Sequence, residues 1–146
     1  TFPGNLQVAA EYKGFTILTD QPVRAGGDET APAPFDLFLA SLATCAGFYM
    51  LQFLRKRDLP TDQAYLTMRT AKDTETGMIS NVILELHLPP DFPEKYRDAV
   101  VHAVNLCSVK KHLHNPPQID TVTITGEEEN VSQTEILEKA SGKEVG

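Results

Sequence analysis

The feature that most constrains this chain is an almost uninterrupted apolar stretch between residues 36 and 57. Between Leu37 and Leu54 the residues outside the apolar set are Ser41, Thr44, Gly47 and Gln52. Prolines precede the stretch and a run of cations closes it, which is typical of the start and end of a helix. At about 1.5 Å per residue the helix would be a rod about 33 Å long. Because it is apolar nearly all round, we expect it to be buried nearly all round, at the centre of the fold or of a dimer.

Length and composition are typical of a globular domain. The 146 residues suffice for a sizeable core, and 41% apolar and 23% charged residues are ordinary values. A net charge of −7 argues against a nucleic acid partner, because phosphate binding needs a basic surface. The apolar stretch is long enough to cross a membrane, but its polar residues and amphipathic flanks favour a core helix. We therefore predict no membrane partner, and the lack of a visible leader favours the cytoplasm.

The rest of the chain predicts short strands and further helices around the long helix. Before the long helix we predict a hairpin over 5–20, with its turn at Lys13-Gly14, and a loop over 20–34. After it we predict strands over 65–70 and 82–88, joined by a turn at 73–77, and a second helix from about Asp91 that breaks near Asn105 and restarts. The chain then continues with a predicted strand over 119–125 and a short helix in an acidic tail at about 127–146. Asp91 and Glu94 resemble a capping box for the second helix. This order predicts an α+β fold forming one domain over residues 1–146. About five strands cannot cover an all-apolar helix in one small subunit, so we expect a homodimer.

The two cysteines offer the most chemistry. Cys45 lies in the middle of the long helix, on a stripe shared with Ser41, Tyr49 and Gln52. Cys107 follows the predicted helix break, where free backbone N–H groups would favour a thiolate. Buried cysteines are often inert hydrophobes, and in an oxidising compartment these two would form a structural disulfide. The remaining possibility is a redox pair, in which one thiolate attacks a peroxide and the other condenses with the resulting sulfenic acid.

Other kinds of site fit the sequence less well. Cys107 with His112 and His114 lacks the spacing of known zinc ligand sets, even with His87 or His102 added. The sequence contains no serine-hydrolase GxSxG motif and no glycine-rich phosphate-binding loop. We therefore predict neither a metal nor another cofactor.

Two motifs resemble those of the OsmC/Ohr family. The run PFDLFLASLATC from Pro34 to Cys45, preceded by Gly26-Gly27, is similar to the first cysteine motif of the family, and the run CSVK from Cys107 resembles its second motif, usually Cys-Pro-Val-Ser. The resemblance covers residues 5 to 125 and implies an intertwined homodimer whose antiparallel sheets pack on long central helices, with active sites at the subunit interface. It also implies reduction of small apolar organic hydroperoxides. Cys45 would be the peroxidatic thiol, Cys107 its partner, and a dithiol the reductant.

The first motif differs from the family pattern at the position of the family's acidic residue. Family peroxidases carry a glutamate ten positions before the first cysteine, where this chain has Phe35, followed by Asp36. In a continuous helix Asp36 would lie about 13 Å along the axis from Cys45 and on the opposite face. Asp36 is therefore either a capping acid or, from a non-helical lead-in, an acid that orients the site.

The family's arginine lies near the first hairpin, whereas the first arginine of this chain is Arg24, in the loop that follows. Arg24 is either a solvated charge or an activator of the thiol. The first hypothesis is a cytoplasmic thiol peroxidase for oxidative stress defence, with Cys45 and Cys107 assisted by Arg24 and Asp36. The alternative is a non-enzymatic dimer of the same fold with inert thiols, which binds an apolar small molecule at the subunit interface.

Overall fold

The computed structural model describes residues 1–123, and the predicted tail helix lies outside them. The chain divides into two compact units, Thr1–His114 and Asn115–Gly146, each of which is described by itself. The single domain over residues 1–146 stays a prediction. The first unit contains β1 Val8–Tyr12, β2 Phe15–Thr19, α1 Pro34–Arg55, β3 Tyr65–Lys72, β4 Ile79–His87, α2 Arg97–Asn105 and α3 Ser108–His114. The predicted α+β class is confirmed.

The two predicted hairpins are present as separate two-stranded antiparallel sheets. Strand β1 pairs with β2, and the turn residues Lys13 and Gly14 have φ of 49° and 80°. Two consecutive positive φ values suit the tightest hairpin turns. Strand β3 pairs with β4, and in their connection Asp73 accepts hydrogen bonds from the backbone N–H groups of Glu75 and Thr76.

Helix α1 confirms the predicted long helix, with bounds two residues earlier in the chain. It starts at Pro34, and the Asp36 carboxylate accepts a hydrogen bond from the Ala33 backbone N–H at 3.1 Å. One stripe of the helix is buried, consisting of Leu42, Ala46, Met50, Phe53 and Leu54.

The opposite side of α1 is open, because β3, α2 and α3 contact the helix from one side. Phe48 remains 53% exposed and Phe35 54% exposed. The expectation of burial nearly all round is therefore wrong for the single chain. By length and composition α1 is also the one helix within residues 1–123 that could cross a membrane, with a mean hydropathy of 1.7. Its buried stripe forms the centre of the core.

The core lies where α1 crosses α2 and meets the inner face of the second hairpin. Val100 and Val104 of α2 and Phe92 pack against the stripe of α1, and Leu66 and Leu86 from the hairpin contact this cluster. Burying a side chain of this kind contributes about 1.5–3 kcal/mol. The stripe therefore fixes where the middle of α1 lies relative to α2.

Two predicted elements are wrong. The capping box of Asp91 and Glu94 does not form, since neither the turn Glu94–Tyr96 nor α2 has a side-chain cap. Pro93, with φ −63° and ψ 125°, holds the backbone extended, so the α-helix begins only at Arg97. The strand predicted over 119–125 is absent over residues 119–123, and the remaining two residues lie outside the described part. Strand propensity alone does not satisfy the N–H and C=O groups of an unpaired segment.

Candidate active site

An elbow between α2 and α3 sets the position of Cys107. Helix α2 ends at Asn105, and α3 starts at Ser108. The Cys107 backbone N–H donates to the carbonyl of Val104 at 3.2 Å, closing the last turn of α2, while its own carbonyl accepts from Lys111 at 3.1 Å, opening α3. Cys107 is thus shared by both helices. The predicted break near Asn105, with Cys107 at a helix N-terminus, is confirmed.

The elbow brings Cys107 to Cys45 on α1. Cys107 is fully buried, Cys45 is half-buried, and both are free thiols. The Cys107 thiol and the backbone N–H groups of Val109 and Ser108 lie beside the Cys45 thiol and act as donors that lower its pKa. These N–H groups are free because the first turn of a helix has no intrahelical acceptors for them. Two cysteines that are 62 positions apart in sequence therefore lie in one site.

The pKa values of the two thiols move in opposite directions. Burial acts to raise the pKa of Cys45, but the hydrogen bonds from Cys107, Val109 and Ser108 outweigh it and hold that pKa below its ordinary value. Burial raises the pKa of Cys107, and the hydrogen bond that it donates to Cys45 raises it further. A hydrogen bond donated to a thiolate favours the charged form, whereas the donor is favoured as a neutral thiol. Of the two thiols, Cys45 is therefore the one whose charged form is favoured, and Cys107 is the one whose neutral form is favoured.

The polar residues predicted near Cys45 contribute less. The Ser41 hydroxyl donates to the carbonyl of Phe38 at 2.7 Å, which is the back-bonding expected of serine inside a helix. Gln52 is exposed, and Tyr49 is half-buried. The groups on the Cys45 sulfur come from the elbow and not from α1 itself.

Arg24 and Asp36 lie together, away from the thiols. Both line an open cavity of about 1180 Å³, with Phe38 and Lys72 among the other lining residues, and neither cysteine lines it. Asp36 belongs to the continuous helix α1 and caps its start, so about 13 Å of helix axis separates it from Cys45. Arg24 is exposed in a short 3-10 turn, Val23–Ala25. Within one chain, these two residues form one group and the cysteines another.

The loop that carries Arg24 is held by a residue that sequence reasoning missed. Asp20 is only 1% exposed, and its carboxylate accepts hydrogen bonds from the backbone N–H and hydroxyl of Thr30, at 3.0 and 2.7 Å, and from the N–H of Gln21 at 2.7 Å. The bonds from Thr30 hold the pKa of Asp20 below its ordinary value. A Cβ at Gly27 would lie 2.0 Å from the carbonyl oxygen of Gln21, so only glycine fits there. An aspartate at the start of a Gly-Gly loop was the available sequence signal.

The alternative metal site is not assembled in the described part of the chain. Within residues 1–123, no three side chains of His, Cys, Asp or Glu lie close enough to hold a metal ion. His112 makes a 2.7 Å hydrogen bond with the carbonyl of Ser108, and His87 stacks on the ring of Tyr65 at 4.1 Å.

The fold and site define a class of protein, namely α+β proteins in which a long central helix and a helical elbow bring two cysteines together. A family model described as OsmC-like protein matches residues 26–122, which is more than half of the chain. The chain therefore belongs to the OsmC-like protein family, as the two motifs predict.

Solved structures agree in fold. A protein assigned as an osmotic stress induced and detoxification response protein from Psychrobacter arcticus superposes with a TM-score of 0.64 at 22% identity, covering 76% of this chain and 82% of that one. A protein assigned as an organic hydroperoxide resistance protein from Vibrio cholerae, with captopril bound in one of its active sites, superposes with a TM-score of 0.54 at 21% identity. That match covers 82% of this chain and 90% of the other. A sequence comparison with curated proteins found no match.

Proposed function

We propose that this chain is a thiol-dependent peroxidase that reduces organic hydroperoxides through Cys45 and Cys107. The observation that carries the proposal is the placement of Cys107 and of two backbone N–H groups of the elbow beside Cys45, which holds the pKa of the Cys45 thiol below its ordinary value. A thiolate is the nucleophilic form of cysteine, and such donors favour it. Family membership and the hydroperoxide resistance assignment of the Vibrio cholerae relative support the substrate class.

In the first step the Cys45 thiolate attacks the terminal oxygen of the hydroperoxide. The O–O bond breaks, an S–O bond forms, and the alkoxide leaves as the alcohol after taking a proton. The sulfur is oxidised to a sulfenic acid and the peroxide is reduced. The Cys107 thiol interacts with the Cys45 thiol, and its raised pKa favours the protonated form. We assign it as the proton source, which would leave it as the thiolate that the next step needs.

In the second step the Cys107 thiolate attacks the sulfur of the sulfenic acid. An S–S bond forms, and the hydroxyl group leaves and takes up a proton to become water. Because the two thiols are close enough to shift each other's pKa, we expect disulfide closure to need little movement of the elbow. A dithiol then reduces the disulfide by thiol–disulfide exchange and is itself oxidised. The sum is one hydroperoxide and one dithiol converted into one alcohol, one water and one disulfide. We assign the reaction to the cytoplasm, where dithiol reductants are maintained.

We also infer a homodimer, because two apolar surfaces of the single chain have no cover within residues 1–123. The first is the open side of α1 with its exposed phenylalanines, and the second is the hairpin β1–β2, where Phe15 is 71% exposed. Exposed apolar surface of this extent is typical of an interface. In such a dimer, the cavity with Arg24 and Asp36 of one copy would lie near the cysteines of the other copy. Activation of Cys45 by Arg24 and orientation by Asp36 are therefore proposed to act between subunits.

The test counts free thiols on fully reduced protein before and after one equivalent of cumene hydroperoxide. We expect the wild type to lose both thiols rapidly. Cys107→Ser should lose its one thiol to a sulfenic acid that dimedone traps, whereas the thiol of Cys45→Ser should persist.

Both serine variants keep a hydroxyl of similar size and serve as matched controls for each other. Two thiols that survive untouched in the wild type would refute the peroxidase and favour the non-enzymatic alternative. Equal loss in Cys45→Ser and Cys107→Ser would refute the assignment of roles.

A further inference from the structure

A second cavity, of about 310 Å³, lies among α1, β4, α2 and α3. This volume is at the lower end of the range for small-molecule sites. Its walls are apolar and include Leu42 from α1, Leu84 and Leu86 from β4, and Val104 from α2. Leu42 and Val104 are core residues, so this wall is rigid. Neither cysteine lines the cavity, and Val82 is the one residue that it shares with the cavity that contains Arg24.

The polar lining of this cavity has one sign of charge. Its polar members are Asn105, Lys110 and His114, and no carboxylate lines it. Lys110 is half-buried, and its ammonium donates a hydrogen bond to the Asn105 side chain across the elbow. That bond limits the freedom of a side chain that is otherwise flexible. The chain as a whole has a net charge of −7, whereas this cavity is lined by a cation and by no carboxylate.

We propose that this cavity binds a straight-chain carboxylate, with its alkyl tail against the leucines and its anionic head at Lys110. Removing the tail from water supplies affinity in proportion to the apolar surface that is buried. A charge-assisted hydrogen bond from the ammonium selects a carboxylate over a neutral or cationic head group. A primary alcohol of the same length keeps the tail contacts and loses the ionic one, and a quaternary ammonium faces repulsion by Lys110.

The site flanks the elbow that carries Cys107. Val104 precedes that cysteine by three residues and Lys110 follows it by three, so the ligand would touch both arms of the elbow. The proposal nevertheless does not rest on the redox chemistry, because the cysteines are not among the lining residues.

The experiment titrates the full chain with decanoate, decanol and decyltrimethylammonium by isothermal calorimetry, below the micellar concentration of each. We expect decanoate to bind about tenfold more tightly than decanol, which corresponds to about 1.4 kcal/mol, and decyltrimethylammonium to bind weakest. Lys110→Met should weaken decanoate binding about tenfold and leave decanol binding unchanged. Lys111→Met is the matched control, because Lys111 is exposed and does not line the cavity. It should leave both affinities unchanged.

A second pair of variants tests the cavity itself. Val101 lines the cavity yet is 51% exposed, so Val101→Trp should fill part of the space without disrupting the core and should abolish decanoate binding. Ile83→Trp, at a 55% exposed position of β4 outside the cavity, should not. Circular dichroism of each variant verifies folding.

Three results would overturn the site. They are equal affinities for the three probes, equal weakening by Lys110→Met and Lys111→Met, and an absence of decanoate binding. Decanoate affinity that falls as protein concentration rises would also overturn it, since a second copy would then cover the cavity. Thiol loss with cumene hydroperoxide is measured on the same preparations. Thiol loss without decanoate binding refutes this site alone, and decanoate binding without thiol loss refutes the peroxidase alone.

Discussion

The cysteine elbow and the arginine loop each carry candidate site residues, but they are held in opposite ways. The elbow, residues 104–111, is fixed by apolar packing, with Val104 3% exposed and Cys107 fully buried. The loop, residues 20–33, is fixed by the buried Asp20 carboxylate and the close approach at Gly27. The groups that the elbow presents meet Cys45 within the same chain, whereas Arg24 of the loop faces an open cavity. The surroundings of Cys45 are thus assembled by one chain, whereas the proposed action of Arg24 on Cys45 needs a second one.

The largest expected effect comes from disrupting the core cluster to which Val104 of the elbow belongs. Leu54→Ala removes a side chain that is 1% exposed, which should cost about 2–5 kcal/mol of unfolding free energy in urea denaturation. The exposed Gln52 on the same helix provides the control, and Gln52→Ala should stay within about 0.5 kcal/mol of the wild type. Similar losses in both variants would mean that this stripe of α1 does not hold the core.

The next effect tests whether the loop acts between subunits. If Arg24 activates Cys45 of a partner, Arg24→Gln and Cys45→Ser should each lower hydroperoxide consumption by about tenfold or more. A mixture of the two, unfolded and refolded together, should regain part of the activity, because each mixed dimer pairs one intact Cys45 with one intact Arg24. Arg69→Gln, which removes a surface ion pair with Glu85 on the second hairpin, is the control for loss of charge. No recovery in the mixture would show that Arg24 does not act across subunits.

A smaller effect concerns the thiol that donates to Cys45. The lowered pKa of Cys45 means that its thiolate, and its alkylation by iodoacetamide, should persist as the pH falls below the ordinary pKa of the thiol and be lost only as the pH passes the lower, folded-state pKa. Cys107→Ala removes one donor and should move the alkylation profile of Cys45 toward higher pH. Cys107→Ser keeps a donor and should move it less. Coincident profiles for the two variants would show that the side chain at position 107 does not tune Cys45.

The smallest and most local effect concerns Asp20. Its pKa is lowered in the folded state, so its contribution to stability is present above the ordinary pKa of 3.8 and is lost as the pH falls through the lower, folded-state value. Asp20→Asn should make the loop more susceptible to limited proteolysis at neutral pH and leave the alkylation of Cys45 unchanged. Glu29→Gln, at an exposed position of the same loop, should change neither measurement. An altered Cys45 profile in Asp20→Asn would mean that loop and elbow are coupled within one chain.

The strength of local signals explains which parts of the fold the sequence predicts. The long helix is specified by its composition and by Pro34 at its start, and the first hairpin by Lys13-Gly14. The break near Asn105 is also predicted from the sequence. The capping box at Asp91 does not form, because the backbone at Pro93 is extended. The strand over 119–123 does not form, because no neighbouring strand pairs with it in the described part of the chain.

The sequence by itself determined the α+β class, the two motifs of the family, and the positions of Cys45 and Cys107 in or beside helices, because helix composition, turns and helix ends are local properties. Only the tertiary structure decided that the two thiols lie together, that Asp20 is buried, and that Arg24 and Asp36 lie away from Cys45. These outcomes depend on which stripe of α1 is covered. When a helix is apolar on nearly every side, its sequence does not indicate which stripe will be buried. That is decided when β3, α2 and α3 pack against α1.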